Sequence, residues 1–211
     1  MKKKIFLLLC ISILVVVSGC SISKITPKKY TVPKKIAPYL YEITYNDYTK
    51  DTKLESITDT EAFGCSSVRN GNFYGRNFDY IFNDVPEFIV KVSATKDRHA
   101  SIGIATHMGL RDYKIQNGEY DKQLELIPNG TLDGINDAGV ICSHNVVPVE
   151  DVAPVTGTNP GGEKLHMLFI PRFVLDNEKS ADEAVELLKQ QNIYGTLNGK
   201  YYLHTMIADK D

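Results

Sequence analysis

The sequence has no excess of positive charge. Its 24 lysines and arginines stand against 26 aspartates and glutamates, a formal charge of −2, which argues against a general nucleic-acid binder. The four cysteines, Cys10, Cys20, Cys65 and Cys142, lie far apart with no C-x-x-C pair, so neither a disulfide scaffold nor a zinc or redox module is expected. The five histidines (His99, His107, His144, His166, His204) form no H-E-x-x-H and no tight ligand pair, so no metal is assigned. No G-x-S-x-G elbow occurs. Gly157-Thr-Asn-Pro-Gly-Gly162 opens with P-loop spacing, but Glu163 stands where the essential lysine belongs. There is no internal repeat, and 43% hydrophobic with 24% charged residues excludes wholesale disorder. A globular domain remains, with no cofactor implied and with cysteines to be judged one at a time.

Three lysines after Met1 precede an apolar run over residues 5–17, ending in Val17-Ser18-Gly19-Cys20. The run has the length of a signal-peptide core and is short for a membrane-spanning helix, which needs about 20 apolar residues. Its ending resembles the lipobox of bacterial lipoproteins, whose cysteine is lipidated and becomes the mature N-terminus. That resemblance implies a signal peptide over 1–19, lipidation at Cys20 and a lipid-anchored location on the outer side of the cell membrane. An ordinary secretory signal or an uncleaved anchor shares the charge and run length. Residues 21–35 are polar and lysine-rich, with Pro27 and Pro33, and read as a tether. Residues 37–60, with Tyr39, Tyr41, Tyr45 and Tyr48, read as a short amphipathic segment. The whole of 20–64 is thus a tether and pre-nucleophile segment ahead of a domain over 65–211.

That domain is β-rich. Asn-Gly pairs at 70–71, 117–118, 129–130 and 198–199 are hairpin signals, since both residues tolerate positive φ. Strand-like runs cover Phe88–Ala94, Ser101–Thr106, Val140–Val147 and Tyr201–Ala208. A buried helix is expected over Leu165–Leu175, kinked or divided by Pro171. Ser180-Ala-Asp-Glu183 is a capping box opening a helix to about Gln191, with Ala181, Ala184, Val185 and Leu188 inward. Strands, paired helices and a final strand predict a layered α+β fold.

One segment carries candidate chemistry: Gly64-Cys-Ser-Ser-Val-Arg-Asn-Gly-Asn-Phe-Tyr-Gly-Arg-Asn-Phe-Asp79. It reads as two strands around the Asn70-Gly71 turn, returning Arg76 and Asp79 toward Cys65. Taken alone, these residues read first as a buried structural cysteine and a surface ion pair. Gly64-Cys65 followed by Phe-Tyr-Gly-Arg-Asn-Phe-Asp79 resembles the start of the linear amide C–N hydrolases. These are the bile salt (choloylglycine) hydrolase and penicillin V acylase group, with acid ceramidase-like relatives, in the N-terminal-nucleophile superfamily. Asp133-Gly-Ile-Asn-Asp-Ala-Gly-Val-Ile-Cys-Ser-His-Asn145 resembles that family's D-G-x-N-x-x-G-L stretch, which ends in an active-site asparagine. Leu203-His-Thr-Met-Ile-Ala-Asp-Lys210 resembles its L-H-x-x-I-A-D strand.

The resemblance implies a four-layer αββα sandwich and an enzyme with Cys65 as N-terminal nucleophile. It also implies Arg76 beside the thiolate, Asp79 accepting from the α-ammonium and Asn145 donating to the oxyanion. An unperturbed thiol has a pKa of about 8.5 and an α-amine one of roughly 7.7–8.0, so the amine of an N-terminal cysteine can take the thiol proton without a histidine. The expected reaction is hydrolysis of a linear, non-peptide amide in a small N-acyl conjugate through an acyl-thioester. Bile salts, penicillin V, N-acyl homoserine lactones and fatty-acyl amino acids are all candidate substrates. Exposing Cys65 requires scission of the Gly64–Cys65 bond, expected by autoproteolysis. A same-family acyltransferase and an inactive lipoprotein are the alternatives, and a homo-oligomer is left open. Cys142 is expected to be a core thiol. Relatives continue beyond the position of Asp211, where the family's second asparagine and a later arginine lie, so a chain truncated at its C-terminus is expected.

Overall fold

Residues alternating between buried and solvent-facing build a seven-stranded sheet. The computed structural model describes residues 28–50, 65–71, 73–77, 85–107, 110–148, 159–196 and 201–210. The expected signal peptide, Cys20, Asp79 and the Asn198-Gly199 turn lie outside them.

The sheet combines β1 (Lys34–Ala37), β2 (Leu40–Tyr45), β5 (Glu87–Val92), β6 (Ser101–Thr106), β7 (Thr131–Asn136), β8 (Ile141–Pro148) and β11 (Tyr201–Ala208), in that spatial order. β2 and β5 are parallel and every other neighbouring pair is antiparallel. A separate hairpin joins β3 (Ser66–Asn70) to β4 (Phe73–Asn77), and β9 (Lys164–His166) pairs in parallel with β10 (Asn192–Tyr194). Among the described residues, the α-helices are α1 (Asp112–Gln116), α2 (Asp121–Leu126), α3 (Ile170–Asn177) and α4 (Ala181–Lys189).

Register puts Tyr41, Phe88, Ala105 and Cys142 on one face, where all four helices cover them. Toward β2, the core includes Ile43, Tyr45, Val90 and Leu124; toward β11, it includes Leu165, Val174, Leu175 and Ala184. The opposite face carries Asp133, Ser143 and Asn145 and meets the β3–β4 hairpin. The molecule is a mixed α/β structure compatible with an α+β sandwich.

Several expectations are corrected. The end of the expected tether, Lys34 and Lys35, belongs to β1, and the expected amphipathic segment supplies β2, an interior strand whose alternate residues Tyr41, Ile43 and Tyr45 are buried. Tyr45 donates to the Leu124 carbonyl at 2.5 Å, and Tyr48 donates to Asp176. The stretch Leu165–Leu175, expected as a helix kinked or divided at Pro171, runs instead through β9 and a 3₁₀ turn, and α3 starts only at Ile170. Pro171 sits in the first turn of α3, where its missing N–H is no loss and its fixed φ suits the helix. Asn117-Gly118 ends α1 rather than a hairpin, with Gly118 at φ 75. Asn129-Gly130 closes a 3₁₀ turn. The capping box forms, Ser180 Oγ accepting from Glu183 N at 3.2 Å, but Val185 is 42% exposed and Ala184 is the residue that is buried.

Gly134 lies where β7 meets both β6 and α3 at close range. A Cβ there would meet the Ile102 carbonyl oxygen at 2.7 Å and Leu175 Cδ1 at 2.9 Å. Gly134→Ala should therefore lower stability by about 1–3 kcal/mol, read as a lower urea midpoint at unchanged slope.

Candidate active site

The hairpin is set by its turn: Gly71 adopts φ 57, and Ser67 stands directly opposite Arg76. Ser67, Tyr74 and Arg76 point toward the large sheet, while Ser66, Val68, Phe73 and Asn77 face solvent. Cys65 immediately precedes β3, partly exposed and free of any disulfide. Strand alternation places it on the same side as Ser67.

Arg76 joins the hairpin to the sheet. Its Nη1 donates to Asp133 Oδ2 at 3.0 Å; its Nη2 donates to the His144 carbonyl at 2.5 Å and faces Cys65 Sγ at 3.8 Å. The Arg76 side chain is 5% exposed and that of Asp133 15%. Asp133 Oδ1 also accepts from Ile104 N at 3.3 Å, so the backbone of β6 holds the carboxylate. Asn145 Nδ2 donates to Ser67 Oγ at 2.8 Å, and Ser67 Oγ donates to Met206 Sδ at 3.2 Å. Cys65, Arg76 and, through Ser67, Asn145 thus lie on one side of the sheet. Asp79 is outside the described residues.

His144, next to Asn145, belongs to the other face. Its Nε2 must donate to the Met167 carbonyl, at 2.8 Å, which leaves Nδ1 to accept from Thr205 Oγ1 at 3.1 Å. Burial lowers its pKa to about 3, so it stays neutral and turned away from Cys65. Cys142 shares that face, fully buried, with burial pushing its thiol pKa up. Among the described residues, no group of three or more His, Cys, Asp or Glu could hold a metal ion.

Sequence reasoning missed Ser67 and Asp133 as members of the site. It also missed Glu87, whose half-buried carboxyl is raised by burial and partly lowered by the charge of Arg76. The Asp-Gly-Ile-Asn stretch contained the signal for Asp133, and the structure explains each of its defining residues. Asp133 holds Arg76, and Gly134 makes room for Leu175. Asn136 Nδ2 donates to the carbonyls of Leu175 and Glu178 at the end of α3. Its Oδ1 accepts from Ala138 N and Val140 N, shaping the turn in which Gly139 takes φ 92. At the end of β11, Asp209 accepts from Ala181 N at 2.7 Å and ties that strand to the start of α4.

The family model for acyl-coenzyme A:6-aminopenicillanic acid acyl-transferase matches residues 122–209. That family lies within the N-terminal-nucleophile penicillin acylase and choloylglycine hydrolase group, so the match points to an enzyme of acyl-transfer or hydrolase type. It covers Asp133, Asn145 and Asp209 and stops short of the Cys65 hairpin. No curated protein matches the chain.

Removing one partner of a buried ion pair strands the other charge. Asp133→Ala should cost about 3–5 kcal/mol, and adding Arg76→Met should recover part of that loss in a double-mutant cycle.

The pH dependence has a definite sign. Unfolded His144 binds a proton near its ordinary value of 6.5, whereas folded His144 does so only near 3. The unfolded state therefore holds more protons between these values, and stability falls as pH drops from about 6.5 toward 3. His144→Gln should flatten this acid limb in urea midpoints measured across that window. Some slope should persist, because burial lowers His166 and His107 in the same direction.

Proposed function

We propose that the chain is a cysteine-dependent amidohydrolase of the N-terminal-nucleophile type, acting on linear amides of N-acyl conjugates outside the cytoplasm. The observation that carries this reading is the approach of the Arg76 guanidinium to Cys65 Sγ on the face of the sheet that also presents Asn145. Scission of Gly64–Cys65 gives Cys65 a free α-amine. That amine takes the thiol proton, and the sulfur attacks the substrate carbonyl. The oxyanion receives the Asn145 amide N–H. Collapse expels the amine, protonated by the α-ammonium, and leaves a thioester that water hydrolyses. By family resemblance, Asp79 holds the α-ammonium. In the four-layer arrangement proposed for the whole fold, the β3–β4 hairpin belongs to the second sheet.

The segment ahead of the cut is not disposable. β1 and β2 pair within the sheet, and Tyr41, Ile43 and Tyr45 belong to its core, so both pieces remain in one domain after scission. Lipidation at Cys20 then anchors the enzyme to the membrane through the smaller piece. A second reading, transfer of the acyl group to an amine instead of water, is favoured by the acyl-transferase description of the matching family.

Intact-mass analysis of the purified chain should reveal a fragment beginning at Cys65 that co-purifies with the segment before it. Cys65→Ala should abolish that fragment and lower turnover of N-acyl p-nitroanilides by more than about 1000-fold. An uncut wild-type chain refutes the scission, and full activity in Cys65→Ala refutes the nucleophile. Added glycine ethyl ester separates the readings, because a transferase forms the N-acyl glycine ester and a hydrolase only the free acid.

A further inference from the structure

Ser67 stands two residues beyond Cys65 on the same side of β3 and opposite Arg76, which places its hydroxyl between Asn145 and Met206. Asn145 donates through Nδ2 to Ser67 Oγ at 2.8 Å, and the Ser67 hydroxyl hydrogen goes to Met206 Sδ at 3.2 Å. A thioether is a weak acceptor. Asn145 Oδ1, meanwhile, is buried with no hydrogen-bond partner among the described residues. The strong acceptor of the carboxamide is therefore idle while a hydroxyl next to it donates to sulfur.

We propose that Ser67 is a positioning residue for Asn145, its hydroxyl selecting which end of the carboxamide is offered to the reacting carbonyl. The proposal rests on the amidase reading above, in which Asn145 serves the oxyanion.

The two ends of a carboxamide have nearly the same shape, so a half-turn about its bond to Cβ exchanges oxygen and nitrogen without repacking. After that turn, Ser67 donates to Oδ1, and Nδ2 with its hydrogens occupies the buried place that the oxygen now holds. An oxyanion formed there meets a donor aligned in advance. A hydroxyl can serve both states because it donates and accepts. Met206 supplies the alternative partner, and its weakness keeps the exchange inexpensive. Cys65 and Ser67 lie on one strand, so the nucleophile and the residue that orients the donor keep a common register.

The test compares kcat, KM and Cys65 alkylation by iodoacetamide in full-length wild type, Ser67→Ala, Ser67→Thr and Ser67→Val, with N-acyl p-nitroanilides as probes. Thr keeps the hydroxyl, and Val matches its shape without one. Ser67→Ala and Ser67→Val should lower kcat by about tenfold or more, short of the roughly 100- to 1000-fold loss typical of removing an oxyanion donor itself. KM and the alkylation rate should stay near wild type, and Ser67→Thr should recover most of kcat. Equal kcat in the Thr and Val variants overturns the role of Ser67 while leaving the amidase reading intact, provided Cys65→Ala is inactive. Loss of kcat together with labelling of the buried Cys142 in both variants signals unfolding and also overturns it. Wild-type turnover that survives Cys65→Ala refutes the amidase reading, and this inference with it.

Discussion

The guanidinium of Arg76 is the tie on which the site depends. Its planar fork reaches a carboxylate with one nitrogen and a backbone carbonyl and a sulfur with the other. A two-stranded hairpin is at best marginally stable alone. This one turns Phe73 outward at 82% exposure, so apolar burial on that side does not hold it. Polar contacts on its inner side do, among them those of Arg76 to the His144 carbonyl and of Ser67 to Asn145. The ion pair works because it is nearly buried, where salt screens it little. The same burial makes it costly to break, and the position of Cys65 follows from that cost.

Asp133 and Asn145 owe their places to the pleat. Along β7 and β8, successive residues serve opposite layers: Asp133, Ser143 and Asn145 face the hairpin, while Gly134, Cys142 and His144 face the helices. A one-residue slip would exchange these sets. His144 resists such a slip, because its ring bonds both to the Met167 carbonyl and to Thr205 on the neighbouring strand. A side chain turned away from the chemistry thereby fixes the backbone carbonyl that Arg76 uses and the strand that presents Asn145.

What could be read from the residues follows the range of the interactions involved. The hairpin around Gly71 and the Ser180 capping box are local and both form, although Asn70 closes β3 by pairing with Phe73 and only Gly71 of the expected Asn-Gly pair takes positive φ. Asn117-Gly118 misled because the positive φ that suits a hairpin turn also suits a helix C-terminus. Pro171 misled because proline breaks a helix interior but fits a first turn, and the length of α3 decides between them. The parallel pairing of β2 with β5 depends on partners more than forty residues apart, for which composition carries no signal. The link from Arg76 to Asp133 spans 57 positions. The D-G-x-N resemblance marked Asp133 as notable without revealing what it holds.

The N-terminal segment bears on how a chain cut before Cys65 would behave. β2 lies between β1 and β5, and burying a side chain such as Ile43 or Tyr45 is worth about 1.5–3 kcal/mol each. Polar contacts add to this: Asn129 Nδ2 donates to the Thr49 carbonyl at 3.0 Å, and Lys50 lies 3.4 Å from Asp176. Scission removes none of these contacts. It removes only the covalent link, which changes the effective concentration of one piece at the other. Release of the first piece would take both β1 and β2, leave β5 as an edge strand and uncover the core beside Phe88 and Val90. Its retention is therefore a condition of the fold, and the same core that positions β5 and β6 beneath Asp133 also keeps any anchor on that piece joined to the site.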